Sequence, residues 1–156
     1  MVTTLEIIRD KGEICFSFEQ DRFSDDTIKE ARQCIENILD EHGSINLDYS
    51  DLKALSKAGE GKLSVVTIAK GEIDKVFKLA PEQLKDYTLP QCQAHLVYLW
   101  FSKDIQIDTL LNEMRSLFEY LDPYNQSVIK WGITATNTLV GSSAKVLLLS
   151  IGSQIS

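Results

Sequence analysis

Residues 43–53 read Gly-Ser-Ile-Asn-Leu-Asp-Tyr-Ser-Asp-Leu-Lys and lie between two segments with helical patterns. Gly43 is expected to end the first helix, because glycine adopts the left-handed conformation of helix ends without a steric penalty. Asp48 lies where an N-cap would accept backbone N–H bonds at the start of the next helix. Taken alone, the pair Asp48 and Asp51 is more typical of helix capping than of catalysis, since acidic residues are common in a first helical turn.

The segment before this loop predicts a long amphipathic helix over residues 25–42. Ser24 is a good capping residue, and Asp25 and Asp26 complement the positive end of the helix dipole. Apolar residues then recur at helical spacing, which predicts one buried stripe formed by Ile28, Ala31, Ile35, Ile38 and Leu39.

Before this helix, residues 3–8 and 13–18 alternate between apolar and polar side chains, and the short Gly-containing link between them predicts a β-hairpin. After the loop, apolar patterns and turn residues predict three further elements. These are a helix from Asp48 to Ser56, a strand over residues 63–68, and a helix from Glu72 to Leu79 that Pro81 ends or redirects.

Residues 94–101 form a continuous apolar run, which predicts a strand covered on both faces in the middle of a sheet. His95 in this run is more typical of a satisfied core residue than of a catalytic base, because no positioned partner lies nearby in the sequence. A second helical stripe follows, with Met114 as core filler: Ile107, Leu110, Leu111, Met114, Leu117, Phe118 and Leu121. Residues 127–136 and 145–151 predict an antiparallel pair of strands with one face toward water.

This order of elements predicts a single α/β domain with a mixed four-stranded sheet and helices mainly on one face. An N-terminal β-hairpin and a long core helix precede the sheet. We expect one domain over residues 1–156, divided into the hairpin (1–20), the core helix (24–43) and the remaining region (44–152). Met1 and the hairpin favour a complete gene product.

The composition excludes several classes of protein. The net charge of −7 argues against a nucleic-acid partner, because binding a polyanion normally requires a clustered basic surface. There is neither an apolar run long enough for a membrane span nor a signal-peptide pattern, so we expect a cytoplasmic protein without a membrane partner. Three scattered cysteines, Cys15, Cys34 and Cys92, indicate reduced thiols, and with His42 and His95 they form no metal-binding pattern.

The residues by themselves predict no enzymatic reaction. Neither of the Gly-rich phosphate-binding motifs occurs, and no serine or cysteine lies in a nucleophile-elbow pattern. Apart from Asp48 and Asp51, no pair of carboxylates stands out. We therefore expect no cofactor.

Residues 45–59, Ile-Asn-Leu-Asp-Tyr-Ser-Asp-Leu-Lys-Ala-Leu-Ser-Lys-Ala-Gly, resemble the T7 or synergy loop of the FtsZ branch of the tubulin superfamily and the helix after it. The family pattern is N-[LV]-D-[FY]-x-D-[VL] after a core helix that ends in glycine. Residues 104–121, 129–132 and 145–152 follow the order of a helix, an NIIFG-like strand and a VRVTVIATG-like strand in that family. The resemblance covers about residues 24–152, and it implies the C-terminal or activation domain.

In that family, acidic residues of the T7 loop enter the nucleotide pocket of the next subunit. The resemblance implies that Asn46, Asp48 and Asp51 contact the neighbour's nucleotide and help to position water and a cation. The GTP-binding domain, with its GGGTGTG loop, is absent from these residues, which implies that the chain does not bind GTP in the family's manner. A trace of that domain is residues 16–22, which are similar to F-x-x-E-G-x-x-R, although Gln20 replaces the glycine and Arg22 lies one residue earlier than the arginine of the pattern.

The leading hypothesis is therefore a non-enzymatic protein without catalytic residues of its own. It would associate through the T7-like loop with an FtsZ/tubulin-type partner, or with itself, and cap or modulate filaments in cell division. The alternative is a small-ligand-binding or self-oligomerising domain of chorismate-mutase-like architecture that has lost polymer function; this rests on analogy of fold. An independent enzyme ranks last.

Overall fold

The computed structural model describes residues 2–40 and 45–152, and these residues form six strands and four α-helices. The strands are β1 (Val2–Arg9), β2 (Gly12–Glu19), β3 (Ser64–Glu72), β4 (Ala94–Ser102), β5 (Val128–Thr136) and β6 (Ser143–Ile151). The helices are α1 (Asp25–Asp40), α2 (Tyr49–Ala58), α3 (Ile73–Gln83) and α4 (Ile107–Leu121), and a short 3-10 helix spans Leu89–Gln91. The helix end predicted at His42 and Gly43 lies outside the described residues.

Strand β4 lies inside a four-stranded sheet whose order is β3-β6-β4-β5. It pairs in parallel with β5 and antiparallel with β6, and all 9 of its residues are buried. A continuous apolar strand is stable where other layers cover both of its faces. The predicted mixed sheet with this strand in its interior is therefore confirmed.

The predicted pairing of the last two strands with each other is wrong, because β4 lies between β5 and β6. Strand β6 carries an apolar run at residues 146–149 and pairs with both β3 and β4. A strand buried on both faces belongs in the interior, whereas β5 is mostly half-exposed and forms an edge. The link over residues 137–142 passes the end of β4, where the Gly141 N–H donates to Asp104 Oδ2 at 3.1 Å.

Each face of the sheet has its own hydrophobic core. Helices α3 and α4 pack on one face, while α2 packs on the other together with the hairpin and α1. Most of the apolar residues predicted for the stripes of α1 and α4 are buried, namely Ile28, Ala31, Ile35, Ile38, Leu110, Met114, Leu117 and Leu121. Leu39, Leu111 and Phe118 are half-buried, and Ile107 at the start of α4 is exposed, contrary to the prediction. None of the helices in the described residues is long and apolar enough to cross a membrane.

Helix α3 continues past Pro81 to Gln83, so the expectation that this proline ends the helix is wrong. Proline lacks the N–H of a single helical hydrogen bond. Phe77, Ala80 and Leu84 are buried in the core around it. Their burial holds the last turn in place despite the lost hydrogen bond.

Strands β1 and β2 form the predicted hairpin, with Val2 opposite Glu19 and Arg9 opposite Gly12. Gly12 has a φ of +134°, a conformation that side chains other than glycine rarely adopt. The hairpin therefore turns at residues 9–12. These residues will be called the hairpin tip.

Candidate functional site

The candidate site is the loop over residues 45–51, which leads into α2. Asp48 is the N-cap of α2: its Oδ1 accepts a hydrogen bond from the Asp51 N–H at 3.0 Å. In return, Asp51 Oδ2 accepts a hydrogen bond from the Asp48 N–H at 3.1 Å. Both backbone donors are thereby satisfied, as in a capping box. The predicted capping role of Asp48 is confirmed.

Capping occupies one oxygen of Asp48. Its Oδ1 also accepts a hydrogen bond from the Ser50 hydroxyl at 2.7 Å, whereas Oδ2 makes no hydrogen bond within residues 2–40 and 45–152. The hydrogen bond from Ser50, followed by that from the Asp51 N–H, lowers the pKa of Asp48 below its ordinary value. The side chain is exposed, so it presents one ionised oxygen to solvent at neutral pH.

Asp51 is engaged by its own chain. Besides its capping bond through Oδ2, its Oδ1 lies 3.4 Å from Lys130 Nζ in β5, and the two side chains are 30% and 32% exposed. Asp51 therefore fixes the start of α2 and ties it to the sheet. The three residues predicted to contact a partner therefore differ in their surroundings. Asn46 and Asp48 are exposed to solvent, whereas Asp51 holds the loop in place.

The first residue of the loop is joined to the edge of the sheet. The Ile45 N–H donates to the Ile133 carbonyl at 3.3 Å, and the Ile133 N–H donates to the Ile45 carbonyl at 2.9 Å. Gly132 permits this approach, because a Cβ there would lie 2.7 Å from the Ile45 oxygen and 2.6 Å from Tyr98 Cε2. The loop is thus anchored to an edge strand that would otherwise leave these groups unpaired.

Side chains in the loop alternate between solvent and core. Asn46 and Asp48 are exposed, while Leu47 between them is 7% exposed and belongs to the core beneath the hairpin. Burial of Leu47 fixes the direction of its two neighbours. The two polar residues predicted to contact a partner therefore lie together on the outside.

A cleft of about 650 Å³ lies beside the loop. Among the described residues, its walls are formed by the loop itself, the hairpin tip and the end of α1. The lining residues are Ile8, Arg9, Asp10, Lys11, Leu39, Asp40, Asn46, Leu47, Asp48 and Tyr49. The lining combines apolar side chains with charged ones. In protein interfaces, apolar groups of this kind are buried by the partner and charged groups determine its orientation.

His95 does not belong to this site. It is fully buried in β4, and its Nδ1 lies 2.7 Å from the Ser150 hydroxyl oxygen. Burial lowers the pKa of His95 to about 4, although Asp122 and the Leu121 carbonyl act in the opposite direction. The imidazole is therefore neutral at physiological pH and buried, in agreement with the prediction of a core histidine. Its Nε2 makes no hydrogen bond within the described residues, so the expectation that the histidine is fully satisfied is wrong for this nitrogen.

The contacts of Ile45, Leu47 and Asp51 give the loop a defined shape. Around the loop the site offers an ionised carboxylate oxygen, an exposed amide and the basic side chains of the hairpin tip. In the part of the chain that the structure describes, no group of three or more His, Cys, Asp or Glu residues is placed to hold a metal ion. Carboxylates of this kind act on a reaction by positioning and charge.

Sequence reasoning missed three components of the site. Lys130, Ile133 and the hairpin tip are remote in the chain from residues 45–51, and only the pairing of strands brings them near. No local pattern identifies them. The glycine at position 132 was available as a signal, since a glycine inside a strand often marks a close approach of another backbone.

Comparison of sequences leaves the family open: no protein-family model matches the chain, and neither does any curated protein. Comparison of structures is more informative. FtsZ of M. jannaschii, solved as an empty dimer, is similar with a TM-score of 0.61 and 21% sequence identity. TubZ of Bacillus thuringiensis serovar israelensis is similar in a GTPγS-form protofilament, with a TM-score of 0.61 and 13% identity.

The same TM-score of 0.61 is found for a helical model of the two-stranded TubZ-Bt filament, at 13% identity. These matches cover 84%, 83% and 87% of this chain, but 40%, 36% and 37% of the respective neighbours. At such low identity the likeness concerns the fold. The chain is therefore similar in fold, over most of its own length, to part of the FtsZ and TubZ proteins.

Proposed function

We propose that this chain corresponds to the C-terminal or activation region of an FtsZ-type protein, with residues 45–51 in the place of the T7 loop. The similarity in fold over 84% of the chain supports this assignment. The loop sequence supports it independently, because Asn46, Asp48 and Asp51 occur at the spacing of the family motif. On this proposal, Asn46 and Asp48 face the nucleotide of a partner subunit.

The observation that carries the proposal is the outward position of Asn46 and Asp48 on a loop held at both ends. Ile45 is bonded to β5, Leu47 is buried, and Asp51 is fixed by the capping box and by Lys130. A surface that is ordered before binding loses less conformational entropy on association. The loop is thus suited to contact with another protein.

The proposed activity is association without catalysis by this chain alone. No Gly-rich phosphate-binding loop occurs in the sequence, so the nucleotide would belong to the partner. Phosphoryl transfer is accelerated mainly by positioning and electrostatic stabilisation, and a carboxylate from a second molecule can contribute both. The chain would therefore cap filaments of an FtsZ/tubulin-type partner in the cytoplasm, or change their turnover.

FtsZ of M. jannaschii is a suitable test partner because it shares the fold. An excess of this protein should change both the amount of FtsZ that sediments with GTP and the rate of GTP hydrolysis. Asp48→Ser removes the charge at the loop and should abolish both effects. Asp74→Ser is the matched control, because Asp74 is an exposed aspartate in the first turn of α3.

The control variant should act like the wild-type protein. Unchanged sedimentation and unchanged hydrolysis with an excess of wild-type protein would refute the proposal. Equal losses in Asp48→Ser and in Asp74→Ser would also count against it, since the effect would then follow total charge and not the loop.

A second candidate function, binding of a small ligand or formation of a closed oligomer, is favoured by one observation. The cleft of about 650 Å³ beside the loop falls within the size range of small-molecule sites. Solution mass separates the two candidates. A stable trimer with the 45–51 loop buried between subunits would favour the second, whereas a monomer with an accessible loop would favour association with filaments.

A further inference from the structure

The hairpin tip lies across the cleft from the 45–51 loop, and packing fixes its position. A Cβ at Gly12 would lie 2.8 Å from the Tyr49 hydroxyl, so the first residue of α2 packs directly on the turn. The buried Tyr49 oxygen makes no hydrogen bond within the described part of the chain. Contact between tip and helix therefore depends on close packing at the glycine.

Hydrogen bonds continue this attachment along β2 and α2. The Cys15 N–H donates to the Ser56 hydroxyl at 2.9 Å, and that hydroxyl donates to the Cys15 carbonyl at 3.0 Å. Lys53 Nζ donates to the Glu13 carbonyl. Because the hairpin and α2 are joined at several points, a molecule that approaches Asn46 and Asp48 also meets the tip.

The charges of the tip identify what it can bind. Lys11 is exposed and makes no ion pair within residues 2–40 and 45–152. Arg9 is 36% exposed, and its Nη1 lies 3.6 Å from Asp40 Oδ1. The tip thus presents two basic side chains on the surface of a chain with net charge −7. The charge of Arg9 is partly neutralised by Asp40, whereas that of Lys11 is not neutralised by any described residue.

Besides Asp40, which is paired with Arg9, the carboxylates of Asp10 and Asp48 line the same cleft. A bare anion would be repelled by these two groups, while a bare cation would be repelled by Lys11. A phosphate group that carries Mg²⁺ matches both kinds of charge. Its oxygens accept hydrogen bonds from the basic side chains, and its metal ion is attracted to the carboxylates. The chemistry of the cleft therefore favours a magnesium–phosphate group.

We infer that the hairpin tip is a second contact for the partner's nucleotide, with Lys11 and Arg9 directed to its phosphates across the cleft from Asp48. This inference rests on the proposed function and extends the docking surface from the loop to the hairpin. The occupant is the magnesium-bound polyphosphate of a nucleoside triphosphate held by an FtsZ-type subunit. Lys11 is a specificity residue, because it distinguishes a phosphate-filled partner face from an empty one.

The test compares Lys11→Glu with Lys11→Arg and uses Lys85→Glu as the matched control. Lys85 is exposed and lies away from the cleft, so Lys85→Glu makes the same change in net charge. Binding to immobilised M. jannaschii FtsZ is measured with GTPγS and Mg²⁺, and again without nucleotide. We expect Lys11→Glu to raise Kd about tenfold or more in the presence of GTPγS, because like charges at an interface oppose association.

Without nucleotide, Lys11→Glu should change Kd less than it does with GTPγS, and Lys11→Arg should keep the wild-type preference. The salt dependence of the association rate should decrease in Lys11→Glu. If wild-type protein binds but Lys11→Glu and Lys85→Glu behave alike, the inference is refuted while the proposed function stands. If the wild-type protein binds FtsZ in neither nucleotide state, both are refuted.

Discussion

Replacing Asp48 by serine and by alanine separates its role in folding from its proposed role in binding. Serine caps a helix almost as well as aspartate does, whereas alanine cannot accept the hydrogen bond. In the wild-type protein, Asp48 Oδ1 accepts from the Asp51 N–H at 3.0 Å and from the Ser50 hydroxyl at 2.7 Å. Alanine loses both hydrogen bonds, while serine keeps an acceptor and loses only the charge.

The expected loss of unfolding free energy for Asp48→Ala is about 1 kcal/mol, the usual effect of removing a cap. For a domain of this size, the corresponding decrease in Tm is about 3 °C. For Asp48→Ser the loss should stay below about 0.5 kcal/mol. Because the folded state holds the pKa of Asp48 below its ordinary value, the charged cap contributes at neutral pH. That contribution is lost as the pH falls through the lowered pKa of Asp48.

Urea unfolding followed by tryptophan fluorescence measures the free energies, and the same preparations enter the FtsZ sedimentation assay. The proposed function predicts that both variants lose the effect on FtsZ, although only Asp48→Ala should lose stability. Full activity of Asp48→Ser with FtsZ would show that the charge is not used by a partner. Wild-type stability of Asp48→Ala would show that the capping box contributes nothing measurable.

Three further predictions concern the buried His95 and the surroundings of the loop. Since burial lowers the pKa of His95 to about 4, the unfolded chain takes up the proton first. Stability should therefore fall by about 3 kcal/mol between about pH 6.5 and about pH 4, and urea unfolding of His95→Gln should lack this dependence. Gly132→Ala would place a Cβ 2.7 Å from the Ile45 oxygen, so it should cost about 1–3 kcal/mol in urea unfolding and weaken FtsZ binding. Lys130→Met should cost less than about 1 kcal/mol and leave FtsZ binding intact, because Asp51 keeps its capping bond.

The fold could be predicted to the extent that local patterns determine it. Period-3.6 stripes identified α1 and α4, and a nine-residue buried strand was recognisable from its unbroken apolar run. Local patterns did not predict the position of β5 in the sheet. Both β5 and β6 have strand patterns and are consecutive in the chain, which favoured the wrong prediction that they pair with each other. The deciding factor was burial: residues 146–149 require cover on two faces, whereas Ile129 and Trp131 are half-exposed and tolerate an edge.

The candidate site shows the same division between local and distant information. The spacing of Asp48 and Asp51 predicted the cap, because an N-cap and the N3 residue are three positions apart in any helix. The ion pair of Asp51 with Lys130 and the strand contact of Ile45 with Ile133 depend on how the sheet is assembled. The chemistry of the loop could therefore be predicted from residues close together in the sequence. Its rigidity depends on contacts with distant residues, which no local pattern predicts.

The geometry of Asp48 also resolves the competition between a capping and a recognition role. A cap and a partner would compete if both needed the same oxygen, but both hydrogen bonds of the cap go to Oδ1. The second oxygen lies on an exposed side chain, while Asp51 is paired with Lys130. Because the cap fixes the carboxylate and lowers its pKa, folding itself keeps the group ionised and oriented before a partner arrives. The structural role is thus compatible with the proposed binding role, which is why Asp48→Ser is a sharper test than Asp48→Ala.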